Sequence, residues 1–87
     1  MGAFNVRLTT TARKDLSRLS DPVVKRVVAL LRDLSVDPFS RQSSKLSARD
    51  EYRVRVGDYR IVYAVDKRNK VVVVYRVRHR REVYRRL

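Results

Sequence analysis

The segment YRVRVGDYRIVYAVDKRNKVVVVYRVRHRREVY, residues 52–84, decides the fold. It holds three β-prone runs, predicted as strands at about 51–57, 59–66 and 70–78, parted by two turn signals. Gly57-Asp58 is a two-residue turn of the Gly-X kind, and Asp66 to Asn69 closes a second hairpin. Val71 to Val74 is the most apolar run in the chain and is expected to form the central, best-buried strand. Arginines interrupt these runs. Side chains alternate along a strand, so Arg53 and Arg55 share one face, and Arg76 and Arg78 share a face of their own strand. A sheet face rich in guanidinium with few acids to pair is poorly built for a core. It suits phosphate, whose oxygens a permanently charged guanidinium can meet with two parallel hydrogen bonds.

Towards the N-terminus, Phe4, Val6 and Leu8 alternate with polar neighbours as a short first strand. Thr10 or Thr11 is placed to cap a helix with Ala12, Leu16 and Leu19 on one stripe. Asp21-Pro22 starts a second helix, with aspartate as N-cap and proline at the first helical position. This helix is expected to bury Val24, Val27, Val28, Leu31 and Leu34. It must stop before Asp37-Pro38, because a residue preceding proline avoids the α region. The two helices read as an antiparallel hairpin joined at Ser20-Asp21. Residues 37–50 are polar and aperiodic, a loop with one buried anchor at Leu46. The tail from His79 to Leu87 is basic and is expected to form a short helical turn. The pattern is β-α-α-β-β-β: an α+β domain spanning residues 1–87, with a helical hairpin packed on one face of a small, mainly antiparallel sheet.

Composition narrows the function. The 87 residues suffice for one modest core. Lysine and arginine total 22 against 9 acids, a formal net charge of +13, which implies a polyanionic partner, nucleic acid first and anionic membrane second. Without cysteine there are no disulfides or thiolate metal sites, which fits a reducing cytoplasm. MGAFNVRL has no signal-peptide pattern, and no apolar run approaches the roughly 20 residues that span a bilayer. The expectation is a soluble, cytoplasmic protein with no membrane partner.

A single histidine and scattered acids give no metal-ligand cluster, and two glycines make no phosphate loop. No cofactor is expected. Arginines, tyrosines and one histidine suit one reaction well, cleavage of RNA by its own 2′-hydroxyl. The substrate supplies the nucleophile there. The protein must align it, neutralise a phosphorane and help move two protons. Arginine serves the second task and is a poor base, its pKa lying above about 12. Proton removal would fall to Tyr84, His79, Glu51, Asp58, Glu82 or a positioned water, and the sequence does not choose among them.

The strand and helices of 3–36, then YRVRVGDYRIVY (52–63) and VRHRREVY (77–84), together resemble the RelE toxins of toxin–antitoxin systems. The middle block is the most specific: a Tyr-basic-x-basic strand, a tight turn, Tyr-Arg and a hydrophobic strand recur across the RelE/ParE superfamily. The resemblance implies a ribosome-dependent mRNA endonuclease (mRNA interferase) that needs no metal, cuts in the ribosomal A site, leaves a 2′,3′-cyclic phosphate and so inhibits translation. It implies mRNA, rRNA and a cognate antitoxin as partners, with a toxin–antitoxin heterotetramer among the assemblies. By position, Arg53 and Arg55 stand where RelE enzymes place lysines at the scissile phosphate. Arg60 matches the arginine that holds the phosphate, Arg78 the one assigned to the leaving group, and Tyr84 the tyrosine at the substrate base and ribose. Arginine in place of lysine at 53 and 55 keeps the charge and weakens a role as base. Ser47 stands near a commonly basic position, whose contact is either missing or supplied by Arg49.

Blander readings compete. Arg53 and Arg55 also suit an edge strand protected by charge. Arg76 reads as a solvated or antitoxin-contacting charge within the substrate-binding set. Tyr52, Tyr59 and Tyr63 read as packing, and His79 as a structural histidine with substrate contact as its alternative. Arg80, Arg81, Arg85 and Arg86 attract phosphate without catalytic duty. Two other functions fit the same fold or charge: a ParE-like toxin that inhibits DNA gyrase without cutting RNA, and a plain basic RNA-binding module.

Overall fold

The computed structural model describes residues 3–39, the backbone of 43–45, and 51–79. The elements are β1 (Asn5–Leu8), α1 (Thr10–Ser17), α2 (Asp21–Val36), β2 (Ser43–Lys45), β3 (Glu51–Val56), β4 (Tyr59–Asp66) and β5 (Val71–His79). They form an α+β fold with one five-stranded sheet in the order β1-β5-β4-β3-β2. All pairings are antiparallel except β1 with β5. Both helices lie against the same face of the sheet, α1 over β5 and α2 over β1 and β3.

The three C-terminal strands lie where alternation and turn chemistry put them. Val56 pairs with Tyr59 across Gly57-Asp58, and Gly57 has φ of 57°, a left-handed value that costs glycine little and other residues roughly 1–2 kcal/mol. At the second hairpin the Asp66 carboxylate accepts from the backbone N–H of Asn69 (3.0 Å) and from its side-chain amide (2.8 Å). These bonds, the backbone one foremost, hold the Asp66 carboxyl below its ordinary pKa. Their stabilisation is therefore present at neutral pH and is lost as the pH falls through that depressed value.

Other expectations need correction. The cap of α1 is Thr9, one residue before the predicted threonines; its hydroxyl accepts from the Ala12 N–H at 3.1 Å. In α2 the N-cap is Ser20, and Asp21 is already helical with Pro22 in the first turn. The buried stripe of α2 is Val27, Leu30, Leu31 and Leu34, whereas Val28 is exposed and Val24 only half-buried. Valines at 23, 24, 27 and 28 make the apolar arc wider than the sheet can cover, and contact with the sheet selects one side of it. The middle strand is β4; β5, with the valine run, lies between it and β1. The segment predicted as a loop contains β2, antiparallel to β3 from Ser43↔Val54 to Lys45↔Tyr52. Leu46 lies outside the described residues, as does the tail beyond His79. The described anchor of that region is Pro38, which is fully buried.

The core joins Val27, Leu30, Leu31 and Leu34 of α2 and Ala12 of α1 to Tyr52, Val54, Ile61, Tyr63, Val65, Val72, Val74 and Val77 of the sheet. Tyr63 has 0% exposure and stacks on Tyr52 with centroids 5.6 Å apart. Its hydroxyl donates to the Pro38 carbonyl at 2.7 Å, tying the exit of α2 to the middle strand. Tyr63→Phe removes this donor from a buried carbonyl and is expected to destabilise the fold by roughly 1–3 kcal/mol, measured by urea unfolding.

Candidate nucleic-acid interface

The arginines meet on the sheet face opposite the helices, and a single extra residue puts them there. In β5, Val72 and Val74 point into the core. Unbroken alternation would send Arg76 and Arg78 to the same side. The register slips instead: Tyr63 pairs with Val74 and Val62 with Arg76, leaving Tyr75 as the extra residue of a β-bulge. Beyond it the parity is reversed. Val77 enters the core, Tyr75 is 43% exposed, and Arg76 and Arg78 turn to the outer face.

Helix α1 pins the bulge. β1 pairs with β5 only as far as Val74, so the rest of that edge needs other partners. Thr9 supplies two of them, its N–H donating to the Val74 carbonyl at 3.0 Å and its hydroxyl to the Tyr75 carbonyl at 3.1 Å. Asp15 supplies the third: its carboxylate accepts the Val77 N–H at 2.9 Å and Arg76 Nε at 3.0 Å. The Asp15 side chain is 10% exposed. Arg76, placed in the substrate-binding set by sequence, is thus held as a clamp on the bulge.

Cross-strand pairing then sets Arg55 opposite Arg60 and Arg60 opposite Arg78, a row of three arginines across β3, β4 and β5. Arg53 and Arg76 flank Val62 in the next row. Arg53, Arg55 and Arg60 have no hydrogen bond or ion pair among the described residues. Arg78 carries a buried Nε with no acceptor among them. Like charges directly opposed on a sheet are destabilising, and an unmatched buried donor adds a desolvation cost. Neither serves the fold. Both favour an anion laid across the row.

Arg55 and Arg60 also line a slot of about 30 Å³ at the hairpin turn, with Gly57, Asp58 and Tyr59. Among the carboxylates named as bases, Asp58 stands at this slot, and Glu51 shares the outer face four residues from Arg55, ~13 Å along the strand. His79 is paired with Tyr59 and meets its ring edge-on at 4.9 Å; by alternation it lies on the helix side, away from Arg78. Tyr84, Glu82, Arg49, Ser47, Arg80, Arg81, Arg85 and Arg86 lie outside the described residues. Among the described residues no three His, Asp or Glu side chains gather as a metal site, and no helix is long and apolar enough to cross a membrane.

A family model, the ParE toxin of the type II toxin–antitoxin system parDE, matches residues 6–84. The chain belongs to this RelE/ParE superfamily of toxins. Toxin RelG of Mycobacterium tuberculosis is 36% identical over 85 residues, covering 95% of this chain and 98% of its own. A chain of the RelBE2 toxin–antitoxin complex from the same organism superposes with a TM-score of 0.80 at 37% identity, covering 90% of this toxin and 99% of that chain. The isolated RelE toxin of E. coli shares the fold, with a TM-score of 0.80, 22% identity and coverage of 98% and 100%.

Sequence reasoning missed Thr9, Asp15 and the bulge in this toxin. The signal was present. Valines at 72 and 74 followed by arginines at 76 and 78 share one parity, and no single face accommodates both.

Two outcomes follow. Deleting Tyr75 joins Val74 to Arg76 and gives simple alternation with Val77 still inward and Arg76 and Arg78 still outward, so cooperative thermal unfolding should survive it; Tyr75→Ala, which keeps the bulge, should cost at most about 1 kcal/mol. Arg60→Thr relieves both like-charge oppositions and should raise stability by roughly 0.2–1 kcal/mol per pair. That gain, read from urea midpoints, should shrink as salt is added.

Proposed function

We propose that this toxin is an endoribonuclease that cuts mRNA in the ribosomal A site without a metal, through attack of the substrate's 2′-hydroxyl, and that a cognate antitoxin restrains it. The observation carrying this reading is the row Arg55–Arg60–Arg78, unneutralised among the described residues. In the reaction the 2′-oxygen bonds to phosphorus, the bond to the 5′-oxygen breaks, and a 2′,3′-cyclic phosphate remains. One proton leaves the 2′-hydroxyl and another reaches the departing oxygen. Arg60 and Arg55 would neutralise the phosphorane, and Arg78 would steady the leaving oxygen through its oriented N–H groups. Arg53 extends the charge along the strand. A face rich in fixed charge and poor in acid–base groups depends on a substrate already aligned in line, which a ribosome-bound message provides.

Relatives with Rel names favour the nuclease, and a relative found in a toxin–antitoxin complex favours a cognate antitoxin as the partner. The second reading, a gyrase inhibitor, draws on the family model that matches, which is that of ParE. Purified protein with programmed ribosomes distinguishes the two. The nuclease yields cut message ending in cyclic phosphate, with little action on naked RNA. Inhibited supercoiling with intact message favours the alternative.

Arg60→Ala and Arg78→Ala are each expected to raise the barrier of single-turnover cleavage by roughly 2.7–4 kcal/mol. Neutralising Arg85 and Arg86 should chiefly lower affinity and its salt dependence. Equal losses from all four would mean generic attraction rather than a site. Tyr84→Phe should retain most cleavage, since a stacking ring survives it, while Tyr84→Ala should lose at least about tenfold. Equal damage from both would give the hydroxyl the proton chemistry.

A further inference from the structure

Arg26 lies outside the arginine face and approaches it from the helix side. It heads a stripe of α2, Arg26, Ala29, Leu30 and Asp33, whose spacing keeps these side chains on one surface of the helix. Its guanidinium reaches the β3–β4 turn, where a β-carbon on Gly57 would stand 3.8 Å from Nη1. Between the stripe and the end of β3 is an open groove of about 280 Å³, lined by those four residues with Arg55 and Val56. This volume is near the lower end of small-molecule sites, roughly 300–1,000 Å³.

Arg55 is common to this groove and to the slot beside Arg60. Among the described residues β2 pairs with β3 as far as Val54, and Arg55, the next residue, borders both concavities. The two concavities therefore meet at Arg55, and a strand with a phosphate at Arg60 and Arg55 has its neighbouring nucleotide at the groove.

We infer that the groove is a second subsite for the RNA substrate and holds the nucleotide adjoining the scissile phosphate, with Arg26 and Arg55 on its phosphate and Asp33 on its base. The inference rests on the endoribonuclease reading. A site for bare phosphate has no use for Asp33, whereas a nucleotide does. The carboxylate accepts from the amino group of guanine, adenine or cytosine, which uracil lacks. Asp33 is seven residues from Arg26, ~10 Å along the helix, so cation and carboxylate suit opposite ends of one nucleotide. Ala29, Leu30 and Val56 give the ribose and base an apolar floor between them.

The test uses the full chain on ribosomes programmed with three messages: natural, or with a neutral methylphosphonate immediately 5′ or immediately 3′ of the cut. Arg26→Ala should weaken binding of the natural message roughly tenfold and lower the salt slope by about 0.7. On one of the two methylphosphonate messages the same substitution should cost nothing further, the non-additivity expected of direct partners. Asp33→Asn should flatten discrimination against uracil at that position. An Arg26→Ala penalty unchanged on both modified messages assigns the contact to ribosomal RNA and overturns the inference; so does the absence of any penalty. A protein that cuts none of the three messages overturns the inference together with the endoribonuclease reading, whereas cutting with an unchanged penalty overturns the inference alone.

Discussion

The carboxylate of Asp15 accepts from the backbone of Val77 and the side chain of Arg76 at once, and the outer face of the sheet depends on that double grip. A bulge leaves ladder groups unmatched and bends its strand; at an edge that β1 has ceased to cover, those groups would meet solvent. Thr9 and Asp15 answer them from the first helix. Thr9 also caps that helix, so the helix start, the edge of β5 and the reversal of parity are one structural unit. Asp15→Ala would leave Arg76 and an edge N–H unmatched together, and the damage would reach Arg78, whose orientation depends on the same slip.

The two faces of the sheet have opposite energetics. On the helix side, rows such as Val54–Ile61–Val77 and Tyr52–Tyr63–Val74 bury apolar surface and supply the cohesion of the fold. On the other side the row of arginines opposes it. A small domain has only a few kcal/mol to spare, so three like charges in register persist only where something outside the fold makes use of them.

Much of this architecture was legible in the sequence because its signals are local. Gly57-Asp58 and Asp66–Asn69 marked both hairpins, and Asp37-Pro38 marked the end of α2. The parts that were not read depend on distant contacts. Which side of the valine-rich arc of α2 is buried is decided by the sheet, and so Leu30 replaced Val28. A three-residue β2 inside a polar segment has too little pattern to stand out. Arg53, Arg55, Arg60 and Arg78 were grouped on chemistry, and pairing in three strands added that they share one face, with Arg55, Arg60 and Arg78 in a single row. His79 adjoins Arg78 in sequence and lies on the other side of the sheet, against Tyr59, because neighbouring residues on a strand face opposite ways. Arg26 carried no signal at all, since its place beside Arg55 exists only once α2 lies over the sheet.

The arginine row also lacks an internal off-state. Guanidinium keeps its proton throughout the physiological range, so acidification or alkalinity within that range leaves the charge of the row as it is. Histidine-based sites are silenced by a shift of one or two pH units; this face is not. Salt dims its long reach without discharging it. Its attraction for anions therefore ends only when matching negative charge is laid over it, and control of such a surface is a matter of occlusion and of how slowly the cover departs.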